Sequence, residues 1–215
     1  MIYQELNPNV ANAFGEAGAI AISEGKLTLK QKELIALAIG VAVRCEPCIN
    51  HHAPAAVKAG CNLDELSEMV GINIMMGGGP GSAYGEKALM VAKEAGAKEA
   101  ENKKTIERIT ETPSIEGNTP LERLNPDYAK KFYLIGKNAT QDGYLTYKEK
   151  ELIALAIAIA VRCEGCIKHH TPLAIKAGAG LEELGEMAAV CIAMGGGPSS
   201  QYANIALELA EKLTK

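Results

Sequence analysis

The feature that most constrains this chain is a twenty-residue segment that occurs twice. Glu33 to His52 reads ELIALAIGVAVRCEPCINHH, and Glu151 to His170 reads ELIALAIAIAVRCEGCIKHH. The offset of 118 residues carries Glu33 onto Glu151, Cys45 onto Cys163, Cys48 onto Cys166 and His52 onto His170. The same offset carries Asn7-Pro8 onto Asn125-Pro126, Phe14 onto Phe132, and Met76 to Pro80 onto Met194 to Pro198, so no insertion separates the copies. Between Leu27–Gly60 and Leu145–Gly178, 25 of 34 positions are identical. Core packing tolerates exchange among apolar residues of similar size. It does not require two thiols, an imidazole and a carboxylate at fixed spacing in both halves, whereas a duplicated chemical site does. A young duplication gives the same identity and stays open as the alternative.

Each half reads as helical throughout. Asn7 before Pro8 is a helix start, and Gly25 ends that helix after about Ser23. Thr28 with Gln31, and Thr146 with Glu149, fit capping boxes. The helices they open are apolar nearly all round, Leu34–Val43 and Leu152–Val161. These runs fall short of the roughly 20 residues a membrane span needs and suit the centre of a domain. A buried strand is the competing reading; the boxes, length and alanine content favour helix. A third helix carries or follows the C-x-x-C pair and ends at Ala59-Gly60. Asn62 opens a fourth that stops at the triplet Gly77–Gly79, and Pro80 opens a fifth that reaches about Ala95-Gly96. The charged, Pro- and Gly-punctuated stretch from about 97 to 120 reads as a linker with a short helix over Lys103–Ile109. The expectation is an all-α chain of two tandem helical domains related by internal duplication, 1–98 and 120–215, joined by linker 99–119.

The chain is 47% hydrophobic but only 4% aromatic, with no Trp, so Ala, Leu, Ile, Val and Met fill its cores. A net charge of −4 gives no basic field, which argues against nucleic acid as a partner. The first ten residues, MIYQELNPNV, show no basic and apolar signal regions, so a cytoplasmic location is expected. C-x-x-C pairs in that compartment point to redox or metal chemistry rather than a disulfide framework.

If the segment after Cys45 is helical, Cys48 and His52 lie at about 300° and 340° round from it, within one sector of about 60°. His51 falls at about 240° and faces elsewhere, as does His169, so these two read as supporting or packing residues. Residues i and i+3 of a helix have Cα atoms about 5 Å apart, within the span a disulfide accepts. A cysteine at a helix N-terminus can drop in pKa from about 8.5 into the range of roughly 3.5–7.5. Arg44 and Arg162 either add positive potential there or form a solvated helix edge. His52 stands one turn from Cys48 and could take its proton. Glu33 either orients that histidine or serves its own helix dipole. Pro54 and Pro172 cannot donate to the carbonyls of Asn50 and Lys168, so the helix either kinks there or begins only at the proline, and then the angular argument lapses. Each half also offers a Cys, Cys, His and Glu set that zinc could take, and a duplicated scaffold with a decayed site is a third reading. Cys61 and Cys191, whose counterparts are Ala179 and Asn73, read as core packing, as do Met75, Met76 and Met194. The glycine triplets read as sharp turns or close helix approaches.

The pattern Glu33-x11-Cys45-x2-Cys48-x3-His52, with its copy Glu151-x11-Cys163-x2-Cys166-x3-His170, resembles the alkylhydroperoxidase AhpD-like branch of the carboxymuconolactone decarboxylase family. The resemblance implies an all-α fold, a homo-oligomer with a trimer favoured, and a cysteine pair that reduces peroxides or protein disulfides. It implies no cofactor beyond redox-active Cys45–Cys48 and Cys163–Cys166 disulfides. Carried over, Cys48 and Cys166 are the nucleophiles, Cys45 and Cys163 their resolving partners, and His52 with Glu33, and His170 with Glu151, the proton relays. The implied partners are a dithiol or thioredoxin-like electron donor and a disulfide or peroxide substrate, with neither nucleic acid nor membrane. Some relatives carry a further histidine between the cysteines, where this chain has Pro47 and Gly165. Its absence shifts the expectation from peroxide toward disulfide reduction.

Overall fold

Capping residues decide where this chain coils. The structure is a computed structural model that describes residues 2–215. Among the described residues it holds ten α-helices and no strand: α1 Ile2–Leu6, α2 Pro8–Ala21, α3 Leu29–Ala42, α4 Glu46–Lys58, α5 Leu63–Glu94, α6 Pro120–Leu124, α7 Pro126–Thr140, α8 Tyr147–Ala160, α9 Glu164–Lys176 and α10 Leu181–Leu213. The all-α expectation is met. Asn7 and Asn125 cap α2 and α7, each side-chain oxygen accepting the N–H three residues on. Both arms of the Thr28–Gln31 and Thr146–Glu149 boxes form. The same device, Thr119 with Glu122, starts α6, which the sequence reading passed over.

The glycine triplets turn the chain. Gly78 has φ 59° and ψ −135° inside α5, and Gly196 has φ 63° and ψ −149° inside α10. A side chain makes that conformation costly, so each long helix is two arms meeting at a glycine. A Cβ at Gly81 would collide with the Asn73 carbonyl, so this glycine lets the second arm close on the first.

The expected helix over Lys103–Ile109 does not form; 103–118 has no helix. The stretch is a strap held by side chains of both halves. Lys103 pairs with Asp64 at 3.1 Å, the Lys104 N–H donates to the Tyr144 hydroxyl at 2.8 Å, and Asn138 meets both the N–H and the carbonyl of Ile109. The Asn138 amide satisfies the Ile109 peptide group without helix, in a segment whose β-branched Thr105, Ile106 and Ile109 favour extended backbone.

At the centre α3 packs against α8. Their residues 32–41 and 150–159 are buried on every side. The Gln31 Nε2 donates to Glu149 Oε1 at 3.1 Å. These are equivalent positions, so a pseudo-twofold axis passes between them. The remaining contacts are reciprocal, as a twofold requires. Helix α2 packs on α10 and α7 on α5, so each repeat lays its first long helix on the other repeat. On α10, Glu186 accepts the N–H groups of Lys26 and Leu27 at 2.8 and 2.9 Å and pairs with buried Lys32 at 2.8 Å. On α5, Glu68 accepts those of Tyr144 and Leu145, both at 2.8 Å, and pairs with buried Lys150 at 2.9 Å. Each lysine also donates to a loop carbonyl, Ser23 or Gln141. One continuous apolar core draws on both repeats. Among the described residues no helix is long and apolar enough to cross a membrane.

Candidate active site

Each site begins where a central helix stops. Helix α3 ends at Ala42 with Val43 as its C-cap, and Arg44 follows with φ 59°. The Cys45 N–H reaches the Gly40 carbonyl at 2.9 Å and the Arg44 N–H reaches Val41 at 3.1 Å, the paired bonds of a Schellman motif. Arg162 repeats this with φ 60°, the Cys163 N–H reaching the Ala158 carbonyl and the Arg162 N–H that of Ile159. Among the described residues Arg44 and Arg162 alone have positive φ without being glycine. Gly60 and Gly178 fill the equivalent post-helix position after α4 and α9, with φ 97° and 92°. The reversal makes the next residue, Cys45 or Cys163, the N-cap of α4 or α9.

That placement sets the chemistry of the pair. The Cys48 N–H donates to Cys45 Sγ at 3.3 Å, and the Cys166 N–H to Cys163 Sγ at 3.2 Å. Each pair is disulfide-bonded, with Cα atoms 5.2 Å apart. Both helices start at the C-x-x-C and run through Pro54 and Pro172, so the angular argument stands. The carbonyls to which those prolines cannot donate belong to Asn50 and Lys168, both exposed residues.

The structure brings Glu33 to His52 and Glu151 to His170. In each pair the histidine Nδ1 lies 2.8 Å from the carboxylate Oε2. With the carboxylate as acceptor, Nδ1 carries the proton and Nε2 is left as the ring's basic nitrogen. Glu33 and Glu151 are both buried, so their carboxylates orient imidazoles rather than face solvent at a helix end. In the second repeat the Tyr147 hydroxyl, one turn before Glu151, is held above its ordinary pKa by burial and then by the Glu151 carboxylate. The first repeat has Leu29 there.

The two sites differ in their walls. A cavity of about 480 Å³ opens over the second site. Its floor is Gly165, Cys166, His169 and His170 on α9; one wall is Phe132, Tyr133 and Gly136 on α7, and the other is Met75 and Met76 on α5 of the first repeat. No local sequence pattern announces this pocket, because its walls come from both repeats. Both methionines pack against the core, as expected, but are only partly buried and also line the cavity. The sequence reading took His169 as a supporting or packing residue, but His169 is exposed and on the cavity floor. The offset of 118 is the signal that could have found the difference, since it places Gly15 where the second half has Tyr133 and Ala193 where α5 has Met75.

Cys61 and Cys191 are buried and unpaired. Burial, then Glu65, pushes the Cys61 thiol up to about 12. Burial raises Cys191 as well, and its Sγ packs 3.5 Å from Met187 Sδ. Neither thiol is placed to ionise. Among the described residues no group of three or more His, Cys, Asp and Glu side chains is arranged to hold a metal ion.

Comparison with known proteins agrees with the duplication. The pattern of the carboxymuconolactone decarboxylase family matches residues 8–90 and again 126–209. An uncharacterised protein of Cupriavidus necator is 41% identical over 93 residues, which is 43% of this chain and 82% of that protein. An apo carboxymuconolactone decarboxylase family protein of Legionella pneumophila is 42% identical, over 44% of this chain and 85% of that one, with a TM-score of 0.43. A crystal structure of a proposed gamma-carboxymuconolactone decarboxylase subunit from Burkholderia xenovorans covers 99% of this chain and 90% of its own, at 20% identity and a TM-score of 0.59, which speaks to the fold alone. With both halves matched, the chain belongs to the carboxymuconolactone decarboxylase family, twice over in one polypeptide.

Proposed function

We propose that the protein is a thiol–disulfide oxidoreductase with one C-x-x-C centre in each repeat, reducing disulfides at the expense of a dithiol donor. The observation that carries this reading is the placement of each pair at a helix start, with a carboxylate-bound histidine one turn on. A thiolate on Cys45 or Cys163 accepts a backbone N–H and sits at the positive end of the helix dipole. Both favour the ionised sulfur and make it a good leaving group.

The cycle balances in two steps. With the pair reduced, His170 Nε2 takes the Cys166 proton and the thiolate attacks one sulfur of R–S–S–R′. The Cys166–S–S–R bond forms, the substrate S–S bond breaks, and R′–S⁻ leaves with the proton from the imidazolium. The Cys163 thiolate then attacks Cys166 Sγ, closes the Cys163–Cys166 disulfide and expels R–S⁻, which takes up the proton that Cys163 released to solvent. A donor dithiol reverses the bond changes at Cys166 and is itself oxidised. Cys45, Cys48, His52 and Glu33 do the same in the first repeat. Peroxides are the secondary substrates, because Pro47 and Gly165 supply no proton donor between the cysteines. We further propose a trimer of these two-repeat chains, working in the reducing cytoplasm.

Steady-state turnover of a model disulfide and of a peroxide, with dithiothreitol as donor, tests the reading in wild type, Cys48→Ser, Cys166→Ser and the double variant. The double variant is expected to lose at least about a hundredfold, as enzymes do when a nucleophile is removed. Undiminished turnover there rejects the assignment. Full zinc occupancy with thiols that resist titration would favour the Cys2His site instead.

A further inference from the structure

The second centre alone stands among Phe132, Tyr133, Met75 and Met76, and the residues that stand in their places in the other half are smaller at two of the four positions. We propose that the two centres are unequal, and that the second is the substrate-selecting one, taking disulfides carried on an apolar arm. The proposal rests on the thiol–disulfide reading above and adds a substrate class and a specificity-determining wall to it.

The floor of the cavity holds Cys166, the sulfur that attacks, while Cys163 is not among its lining residues. A substrate in the cavity therefore meets Cys166 first. The walls are aromatic rings and thioethers, and no carboxylate, lysine or arginine is among them. The Tyr133 hydroxyl is spoken for, since it donates to Glu122 Oε1 at 2.6 Å, so the ring offers its apolar face and not a free donor. A volume of about 480 Å³ falls in the range of small-molecule sites. An alkyl arm loses water contact there, whereas a carboxylate arm would lose hydration with no lysine or arginine to replace it and only the His169 and His170 rings of the floor as polar partners. Met75 and Met76 come from the first repeat, so the pocket exists only because each half lays its long helix against the other. Across the pseudo-twofold, Gly15 removes the ring of Tyr133 and Ala193 removes the thioether of Met75. Phe14 is 58% exposed where Phe132 is 43% exposed. The Tyr147–Glu151–His170 arrangement is likewise particular to the second half.

The two centres can be made to compete inside one molecule. In full-length Cys45→Ser, Cys163→Ser protein both attacking cysteines remain, and neither mixed disulfide can be resolved. A substoichiometric amount of di-n-butyl disulfide is added, and mass spectrometry of the two peptides reads the adduct at Cys48 against Cys166. The charged probe 3,3′-dithiodipropionate is run in parallel. The expected result is about tenfold preference for Cys166 with the butyl probe, the effect of burying about two methylene groups. With the dianionic probe the ratio falls toward one. Adding Met75→Ala and Tyr133→Ala brings the butyl ratio toward one as well, while Met90→Ala, on α5 but away from the cavity, leaves it unchanged. Equal labelling of both cysteines by the butyl probe overturns the inequality and leaves thiol exchange standing, as does a ratio indifferent to the wall substitutions. No adduct at either cysteine from either probe overturns the exchange reading itself, and this proposal with it.

Discussion

The first and second centres are assembled from the same twenty-residue segment, yet they stand in different surroundings. Everything internal to the segment is reproduced closely. The arginine with positive φ, the sulfur at the helix cap and the histidine–carboxylate pair recur with distances that agree to about 0.1 Å. What differs arrives from helices packed against the segment: α7 with its Tyr133 rather than α2 with Gly15, and α5 with Met75 rather than α10 with Ala193. Chemistry that depends on local backbone geometry is thus held constant, while the walls that touch a substrate are free to diverge. A single-repeat ancestor associating with itself would have had two identical walls; fusing the copies lets one change alone.

The sharpest way to break this comparison is to disable one centre at a time. With an apolar disulfide at limiting concentration, Cys166→Ser is expected to lose about tenfold in kcat/KM and Cys48→Ser less than about twofold, on the same two-methylene scale. Equal losses would make the halves equivalent.

The next effect in size concerns the clasp between the repeats. Glu186→Gln leaves Lys32 buried without its counter-charge, and Glu68→Gln does the same to Lys150. Each should cost about 3 kcal/mol, at the low end for a broken buried pair because the glutamates keep some water contact, or roughly 6–12 °C in Tm. Calorimetry showing no change would mean the repeats hold together without this contact. Glu186 adds a pH signature. The Lys32 ammonium, then the Leu27 and Lys26 amides, hold its carboxyl down at about 2, against an ordinary value of 4.5. A carboxyl with a depressed folded pKa lends stability above its unfolded pKa and loses it as pH falls through the folded one. Chemical denaturation should therefore show a decline from about pH 4.5 to pH 2 that Glu186→Gln flattens.

Gly78→Ala should be destabilising by about 1–3 kcal/mol, since its backbone conformation resists any side chain. Gly77→Ala, with open space where its Cβ would go, should be close to neutral. The smallest effect is at Arg44 and Arg162. Replacing either with Gly keeps the left-handed conformation but removes its cost of about 1 kcal/mol in a non-glycine residue, so stability should rise slightly. Thiol reactivity should fall with the lost charge. A variant that gains stability and keeps its reactivity would reduce the arginines to a solvated edge.

What could be read from the sequence follows the range of the interaction. Thr28, Asn62 and Thr146 announce their helices because a cap involves residues three apart. The Cys45-to-His52 spacing was legible because one helix carries both residues, and the broken helices because Gly78 and Gly196 need a conformation only glycine adopts readily. Nothing near Lys32 and Lys150 in the sequence signals their burial, because the carboxylates that admit them to the interior lie far off in the chain, Glu186 and Glu68. Met75 and Met76 looked like filler for the same reason: their neighbours across the cavity, Phe132 and Cys166, belong to the other half. The strap over 103–109 was misread as helix because its charged residues suit one, while Asn138, which satisfies its backbone, is 29 residues away.

The most direct test of the account is peptide-level mass spectrometry of the wild-type protein equilibrated across a graded glutathione redox buffer, with free thiols blocked before digestion. The account predicts that the Cys45–Cys48 and Cys163–Cys166 peptides each pass from a doubly blocked form to an unblocked disulfide, two hydrogens lighter than the free dithiol, along a two-electron curve of about 30 mV per tenfold change in ratio, while Cys61 and Cys191 stay blocked as single thiols after denaturation. Either C-x-x-C pair remaining a dithiol in the most oxidising buffer would contradict it.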